Sequence, residues 1–310
     1  MENINRTVYA ALIQTAAYLG VAAPILENTT LNEALDIMRS DRPGPNERPT
    51  VSIFVWGNLG QHYIAHENGG FENYSVLHRS TDANLYGLMP FVLRELNDDL
   101  PPTARVNYAL RKQVTINGRN YIAYYGRRFS KENVVPVATY VTVSENGETT
   151  ATAFNPTRAN LNPVKPVYLN NGTWATSGDY VTVKAHIELV LNAAELQEMR
   201  NAVRIIYGSE SFASMTEIGV CTCVDRVVRA TGAAGATFNF NEAIACQVAS
   251  HMNVNFDLKS TNDYLSIEID VGANEPLYKI TPADTAANVG GFQAGAIDGG
   301  LTFNFSTPNP

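Results

Sequence analysis

Apolar side chains recur at three and four residues along 6–20, where Val8, Ala11, Leu12, Ala16 and Leu19 fall on one face, and the spacing predicts a helix. Thr30-Leu31-Asn32-Glu33 has the form of a capping box, with Leu31, Leu35 and Met38 behind it, so the first 40 residues predict two short helices. Asp41-Arg42-Pro43-Gly44-Pro45 ends helical structure, and the period then shortens from 3.6 to 2. Residues 50–56 predict a strand and residues 62–66 a second. Residues 84–96 read as a helix that stops at Asn97-Asp98-Asp99-Leu100-Pro101-Pro102.

Two hairpins follow. Residues 113–116 and 119–125 flank Asn117-Gly118, the pair best suited to the positive φ angles of a type I′ turn. Residues 137–143 and 149–154 flank a longer turn over 144–148. Residues 155–166 carry Pro156, Pro163 and Pro166 among asparagines and are a candidate domain boundary. Beyond it, residues 180–190 alternate apolar and polar positions as a long half-buried strand does. Asn192-Ala193-Ala194-Glu195 opens the best helix of the chain, with Leu196, Met199, Val203, Ile206 and Tyr207 down one face to Gly208. Residues 215–228 predict a strand. Residues from Asn239 predict a helix with Ile244, Val248 and Met252 at i, i+4 and i+8, and 264–271 alternate again.

The expected class is α+β. N-terminal helices and a β-rich middle with hairpins occupy 1–155, an α+β module 156–280, and an extended glycine-rich tail 281–310. The tail carries little charge and reads equally as a disordered end or as an arm that adds a strand to a neighbour, with Leu301, Phe303 and Phe305 on one face.

The chain has 310 residues and a formal charge of -8, from 22 Lys+Arg against 30 Asp+Glu. Charged residues make up 17 % and apolar ones 45 %, enough apolar content for a real core. No basic run offers phosphates a neutralising face, so nucleic acid is not an expected partner. No stretch approaches the roughly 18 unbroken apolar residues of a membrane span, and the N-terminus has no signal-peptide pattern. Cys221, Cys223 and Cys246 are too few and odd in number for a disulfide framework, and their spacing gives neither a redox nor a zinc motif; buried, reduced thiols are expected.

Candidate chemistry is sparse. His62 and His66 stand at i and i+4, but Tyr63 occupies the place of the metalloprotease glutamate, and in a strand the rings would sit some 13 Å apart at about 3.3 Å per residue. GxSxG, GxxxxGK[ST] and GxGxxG do not occur, so no metal, cofactor or catalytic set is expected. Asp98 with Asp99, and Glu268 with Asp270, are carboxylate pairs that read as solvated turn and strand faces. Residues 119–129 interleave aromatics with arginines. Such a mixture serves base stacking or a protein interface, and the acidic total favours an interface at Tyr121, Tyr124, Tyr125, Arg127, Arg128 and Phe129.

The run Pro90-Phe91-Val92-Leu93-Arg94-Glu95, then Tyr108-Ala109-Leu110-Arg111 and Tyr121-Ile122-Ala123-Tyr124-Tyr125, resembles virion structural proteins of large tailed bacteriophages. Ile205-Ile206-Tyr207-Gly208, Val224-Asp225-Arg226 and Phe238-Asn239-Phe240-Asn241-Glu242-Ala243 extend the likeness over most of the chain. The resemblance carries no catalytic motif. It implies a non-enzymatic building block of the head-to-tail neck or connector, or of the tail and baseplate. Such a subunit is made in the host cytoplasm and carried in the virion, and its partners are copies of itself in a ring and other virion proteins. A competing reading is a carbohydrate- or receptor-binding module that stacks Trp56, Trp174 and tyrosines on sugar rings. A hydrolase built on a carboxylate pair ranks below both.

Overall fold

The computed structural model describes residues 4–65, 67–69, 71–144, 146–158, 172–231, 237–260 and 264–282. Among these the fold is mostly β, with fourteen strands in three sheets and four α-helices, and this overturns the α+β expectation. The strands are β1 (Ile4–Arg6), β2 (Thr50–Gly57), β3 (Gln61–Ala65), β4 (Phe71–Ser75), β5 (Leu88–Met89), β6 (Val92–Glu95), β7 (Tyr108–Ile116), β8 (Arg119–Arg128), β9 (Val137–Val143), β10 (Thr149–Ala153), β11 (Gly172–Asn192), β12 (Ser214–Thr231), β13 (Thr237–Asp257) and β14 (Tyr264–Pro282). The helices are α1 (Val8–Leu19), α2 (Leu31–Leu35), α3 (Pro102–Arg105) and α4 (Ala193–Tyr207).

Two predicted helices are strands. Residues 84–96 hold β5 and β6, separated by Pro90; β5 pairs with β2, and β6 pairs with β8. Proline removes one donor from any helix through this stretch, and Phe91, Val92 and Leu93 are all buried in succession, as a strand covered on both faces requires. The second case is β13. Ile244, Val248 and Met252 lie four apart, but a spacing of four also keeps one face in a strand of period 2. Ala243, Ala245, Cys246, Ala249 and His251, which a helix would turn outward in part, are buried as well. Asn239 lies opposite Arg229 in the ladder instead of capping a helix.

The helices at 8–19 and 193–207 form where the periodicity puts them. Thr7 caps α1 and Asn192 caps α4, the latter with Glu195 closing a capping box; Thr30 and Glu33 do the same for the five-residue α2. The hairpin β7–β8 turns on Asn117 (φ 50°) and Gly118 (φ 77°), both in the left-handed region that a type I′ turn demands.

The chain divides into two compact units, residues 1–131 with 188–267, and residues 132–187 with 268–310. The first holds an eight-stranded sheet in the order β1-β13-β12-β2-β8-β6, with β5 added to β2 and β7 to β8, and the separate β3–β4 hairpin. Ile53, Val55, Leu110, Cys221, Cys246 and Val248 pack with Leu31 of α2 in one core cluster; Leu93, Tyr121 and Ala123 pack against Ala202 of α4 in another. The uncovered edge of β13 is closed by a side chain: Asn32 donates to the Ala243 carbonyl (2.9 Å) and accepts from the Cys246 amide (2.8 Å).

The second unit holds the sheet β10-β9-β11-β14. The side-chain partners fix the sense of β11 against β14. Glu188 meets Ser266, His186 meets Glu268, and Lys184 meets Asp270, so one number falls as the other rises and the strands are antiparallel. Residues 159–166 of the proline-rich segment, the following 167–171, and 283–310 of the glycine-rich tail lie outside the described residues.

Candidate functional site

Strand β8 carries the aromatic and arginine side chains that the sequence singles out. Tyr121 and Tyr124 are buried, and Tyr125, Arg127, Arg128 and Phe129 are half-buried. The polar ends of Tyr124, Arg127 and Arg128 meet partners within the same unit. Tyr124 donates to Asp99 (2.5 Å), and Arg111 donates to the other Asp99 oxygen (2.8 Å). Burial works to raise the Asp99 carboxyl, but the Tyr124 and Arg111 hydrogen bonds outweigh it and hold the group below its usual value. Burial, helped by Asp99, pushes the Tyr124 phenol up to about 12.

Arg127 grips Glu195 at the start of α4 (2.6 Å), and Arg94 of β6 grips Glu198 one turn later (2.5 Å), so two ion pairs lock that helix to the sheet. Arg128 pairs with Asp225 of β12 (2.9 Å), and Phe129 meets Phe54 edge to face at 5.1 Å. Leu301, Phe303 and Phe305 lie outside the described residues.

A second polar cluster escapes sequence reasoning. Glu217 on β12 and His78 are both buried, with Nε2 of His78 2.8 Å from Oε2 of Glu217. The same carboxylate accepts from the Tyr86 amide (3.0 Å) and the Gly87 amide (2.8 Å). His78 is sandwiched between the rings of Tyr86 (4.2 Å) and His251 of β13 (3.9 Å). Burial and the neighbouring His78 push His251 down to about 4.

The irregular segment 76–87 that carries these groups is held by side chains in place of a ladder. Asn253 donates to the Val76 carbonyl (2.6 Å), Asn5 to that of His78 (2.6 Å) and Tyr9 to that of Thr81 (2.5 Å). Glu217 is the buried anchor of a strap. The available signal was one acid inside the otherwise uncharged strand sequence 214–224.

The remaining candidates separate. His62 lies exposed on β3, while His66 is outside the described residues. Glu268 and Asp270 both face His186, at 3.8 and 3.2 Å, on an exposed strand surface. The His186 hydrogen bond, aided by Lys184, lowers the Asp270 carboxyl. All three cysteines are buried and free, and burial pushes the Cys223 thiol up to about 12. Trp56 is buried and so presents no face to a sugar; the side chain of Trp174 is outside the described residues. Among the described residues no group of three or more His, Cys, Asp or Glu side chains is placed to hold a metal ion.

One stretch of the described surface combines exposed apolar side chains with a sequence free of charge. Residues 8–26 contain no charged side chain. Helix α1 turns Tyr9, Ile13 and Ala16 inward, yet leaves Tyr18 74 % and Leu19 65 % exposed, and Val21 and Leu26 continue the exposed apolar surface beyond it. Gln14 and Thr15 are the strongly polar side chains of α1, and a helix so largely apolar normally packs in an interior. No helix among the described residues is long and apolar enough to cross a membrane.

A family model matches residues 1–286 of this sequence. The chain belongs to DUF7208, a family of unknown function. The DUF7208 match takes in both compact units, from α1 through the last described strand β14. No curated protein and no solved structure matches the chain.

Proposed function

We infer that the chain is a non-enzymatic structural subunit of a tailed-phage virion, a building block of the neck or connector, or of the tail and baseplate, that works through contacts between subunits. The observation that carries this reading is the exposed apolar stretch 8–26, which has no charged residue of its own and is touched by Arg6 at Gln14 and by Arg48 at the Gly20 carbonyl. Burying one large apolar side chain is worth about 1.5–3 kcal/mol, so Tyr18, Leu19, Val21 and Leu26 together favour a covered state strongly.

The occupant is a second copy of the chain. Each copy carries a formal charge of -8, and like charges repel as copies approach. A patch free of acids is where that repulsion is least and apolar contact can close. The polar clusters agree with this role, because Glu217, Asp99, Glu195 and Glu198 spend their charge on holding loops and helices in place. The sequence resemblance to virion structural proteins supplies the setting, and the acid excess suits a passage whose wall does not hold DNA.

Two measurements test the reading. Light scattering on the purified full-length chain is expected to give a closed oligomer, and mass spectrometry of purified particles is expected to find the chain in stoichiometric, multi-copy amounts. Absence from particles, with the chain found only in the soluble fraction of infected cells, overturns it.

A further inference from the structure

Sheets defend their edges because an open edge is a template for another strand, and the usual defences are charge, proline, a bulge or a cover. The edges of β13, β14 and β10 differ in how they are defended. In the first unit β13 is plugged by Asn32 and paired with β1, which is three residues long. In the second unit β14 carries Glu268, Asp270, Glu275 and Pro276. Strand β10 has none of these defences. Its five residues, Thr149-Thr150-Ala151-Thr152-Ala153, include no charge and no proline, pair with β9 in unbroken register, and are all exposed. Among the described residues its outer edge pairs with nothing.

The chain continues from β14 for 28 residues, 283–310, outside the described structure. That stretch has two charges, Asp284 and Asp298, and near its end Leu301-Thr302-Phe303-Asn304-Phe305 alternates large apolar with small polar side chains. It is a strand pattern with one apolar face. It also complements β10: Ala151 and Ala153 are small, and bulky side chains on a neighbouring strand would lie over them. Residues 283–300, drawn out at about 3.3 Å each, span up to roughly 60 Å.

Resting on the assembly reading above, we propose that residues 301–305 of one copy add a strand to the open edge of β10 in the next copy. Strand β14, from which the tail departs, closes the opposite edge of the sheet. The sheet is about 14 Å across at roughly 4.8 Å per strand spacing, so the tail is long enough for its own β10 or a neighbour's, and it is the assembly reading that selects the neighbour's. The contact is head-to-tail, with one edge of each copy donating and the other accepting, and such contacts build a ring where the rotation between copies closes and a filament where it does not. Backbone hydrogen bonds provide affinity, and the alternate aromatics set the register.

The test uses full-length chains carrying one added cysteine each. The native thiols are buried, so a short bis-maleimide reads only the new ones. A mixture of Thr150→Cys and Thr302→Cys chains is expected to give a cross-linked species of two chains that neither variant gives alone. Adding Ala151→Lys to the Thr150→Cys chain is expected to abolish the cross-link without moving the thermal midpoint. No cross-link in a mixture that light scattering shows to be oligomeric overturns the proposal and leaves the assembly reading standing. Cross-linking of Thr150→Cys chains to each other also overturns it, since β10 edges would then pair together. So does a chain carrying both cysteines that cross-links only within itself.

Discussion

The imidazole rings of His78 and His251 lie face to face, with 3.9 Å between centroids and 11° between planes, in a site that solvent does not reach. Two cations at that distance in a low dielectric would repel strongly. The pair is therefore stable with His251 neutral. Its Nε2 then donates to the Asn84 carbonyl at 3.3 Å, while His78 turns its own Nε2 to Glu217.

Acid sensitivity follows. The imidazole value of His251 falls from 6.5 to about 4 because of burial first and His78 second, with the Asn84 hydrogen bond, then Asp82 and Glu217, acting the other way. Below pH 6.5 the unfolded chain takes up a proton that the folded chain refuses, so stability decreases as pH falls from about 6.5 to about 4 and is unaffected by this group above that window. The loss is on the order of a few kcal/mol. Urea unfolding at pH 7.5, 6.0 and 4.5 checks this, and His251→Phe is expected to flatten the slope. An unchanged slope in the variant would assign the acid loss elsewhere.

Replacing Glu217 removes the acceptor for two backbone amides and for His78 at once. A buried donor left without its acceptor costs about 1–3 kcal/mol, and Glu217→Ala, which strips the Tyr86 and Gly87 amides and the His78 ring of theirs, is expected to destabilise by roughly 3 kcal/mol or more with segment 76–87 released. Limited proteolysis should then cut within 76–87 ahead of the rest of the chain. Gly57 limits what the site tolerates: a Cβ there would lie 2.8 Å from Cδ of Glu217 and 2.7 Å from the Gly87 carbonyl oxygen, so Gly57→Ala is expected to destabilise through the same strap.

Asn32 replaces a strand at the edge of β13. Asn32→Ala leaves the Cys246 amide and the Ala243 carbonyl buried without that partner, at about 1–3 kcal/mol each. Hydrogen exchange gives the direct reading: the Cys246 amide, slow in the parent chain, is expected to exchange much faster in the variant, whereas amides of α4 are not. Equal exchange at Cys246 in both proteins would show that the side chain does not protect the edge.

What the sequence revealed follows from which signals are local. Both capping boxes, the Asn117-Gly118 turn and the alternation of β11 are written within a few residues, and each forms as read. The misread segments are those whose period is ambiguous. Ile244, Val248 and Met252 satisfy a helix and a strand alike, and only the partner β12, with its register shifts, decides between them. The polar clusters are harder still, since His78 and Glu217 are 139 residues apart in sequence and meet through the fold. The arginines and tyrosines of β8 could be recognised as a set, yet their partners Asp99, Glu195 and Asp225 come from three separate segments.

Tyr18 and Leu19 separate folding from assembly. Both are exposed at the end of α1, beyond its inward face of Tyr9, Ile13 and Ala16, and surface substitutions away from buried contacts usually change stability by within about 0.5 kcal/mol. Tyr18→Lys with Leu19→Lys is therefore expected to leave the urea midpoint of the isolated chain unchanged. Two cations placed in the uncharged surface must be desolvated whenever another copy covers it. The same variant is expected to lower the mass measured by light scattering and to be excluded from particles when supplied in competition with the parent chain. A variant that assembles as the parent does would place the interface elsewhere on the molecule.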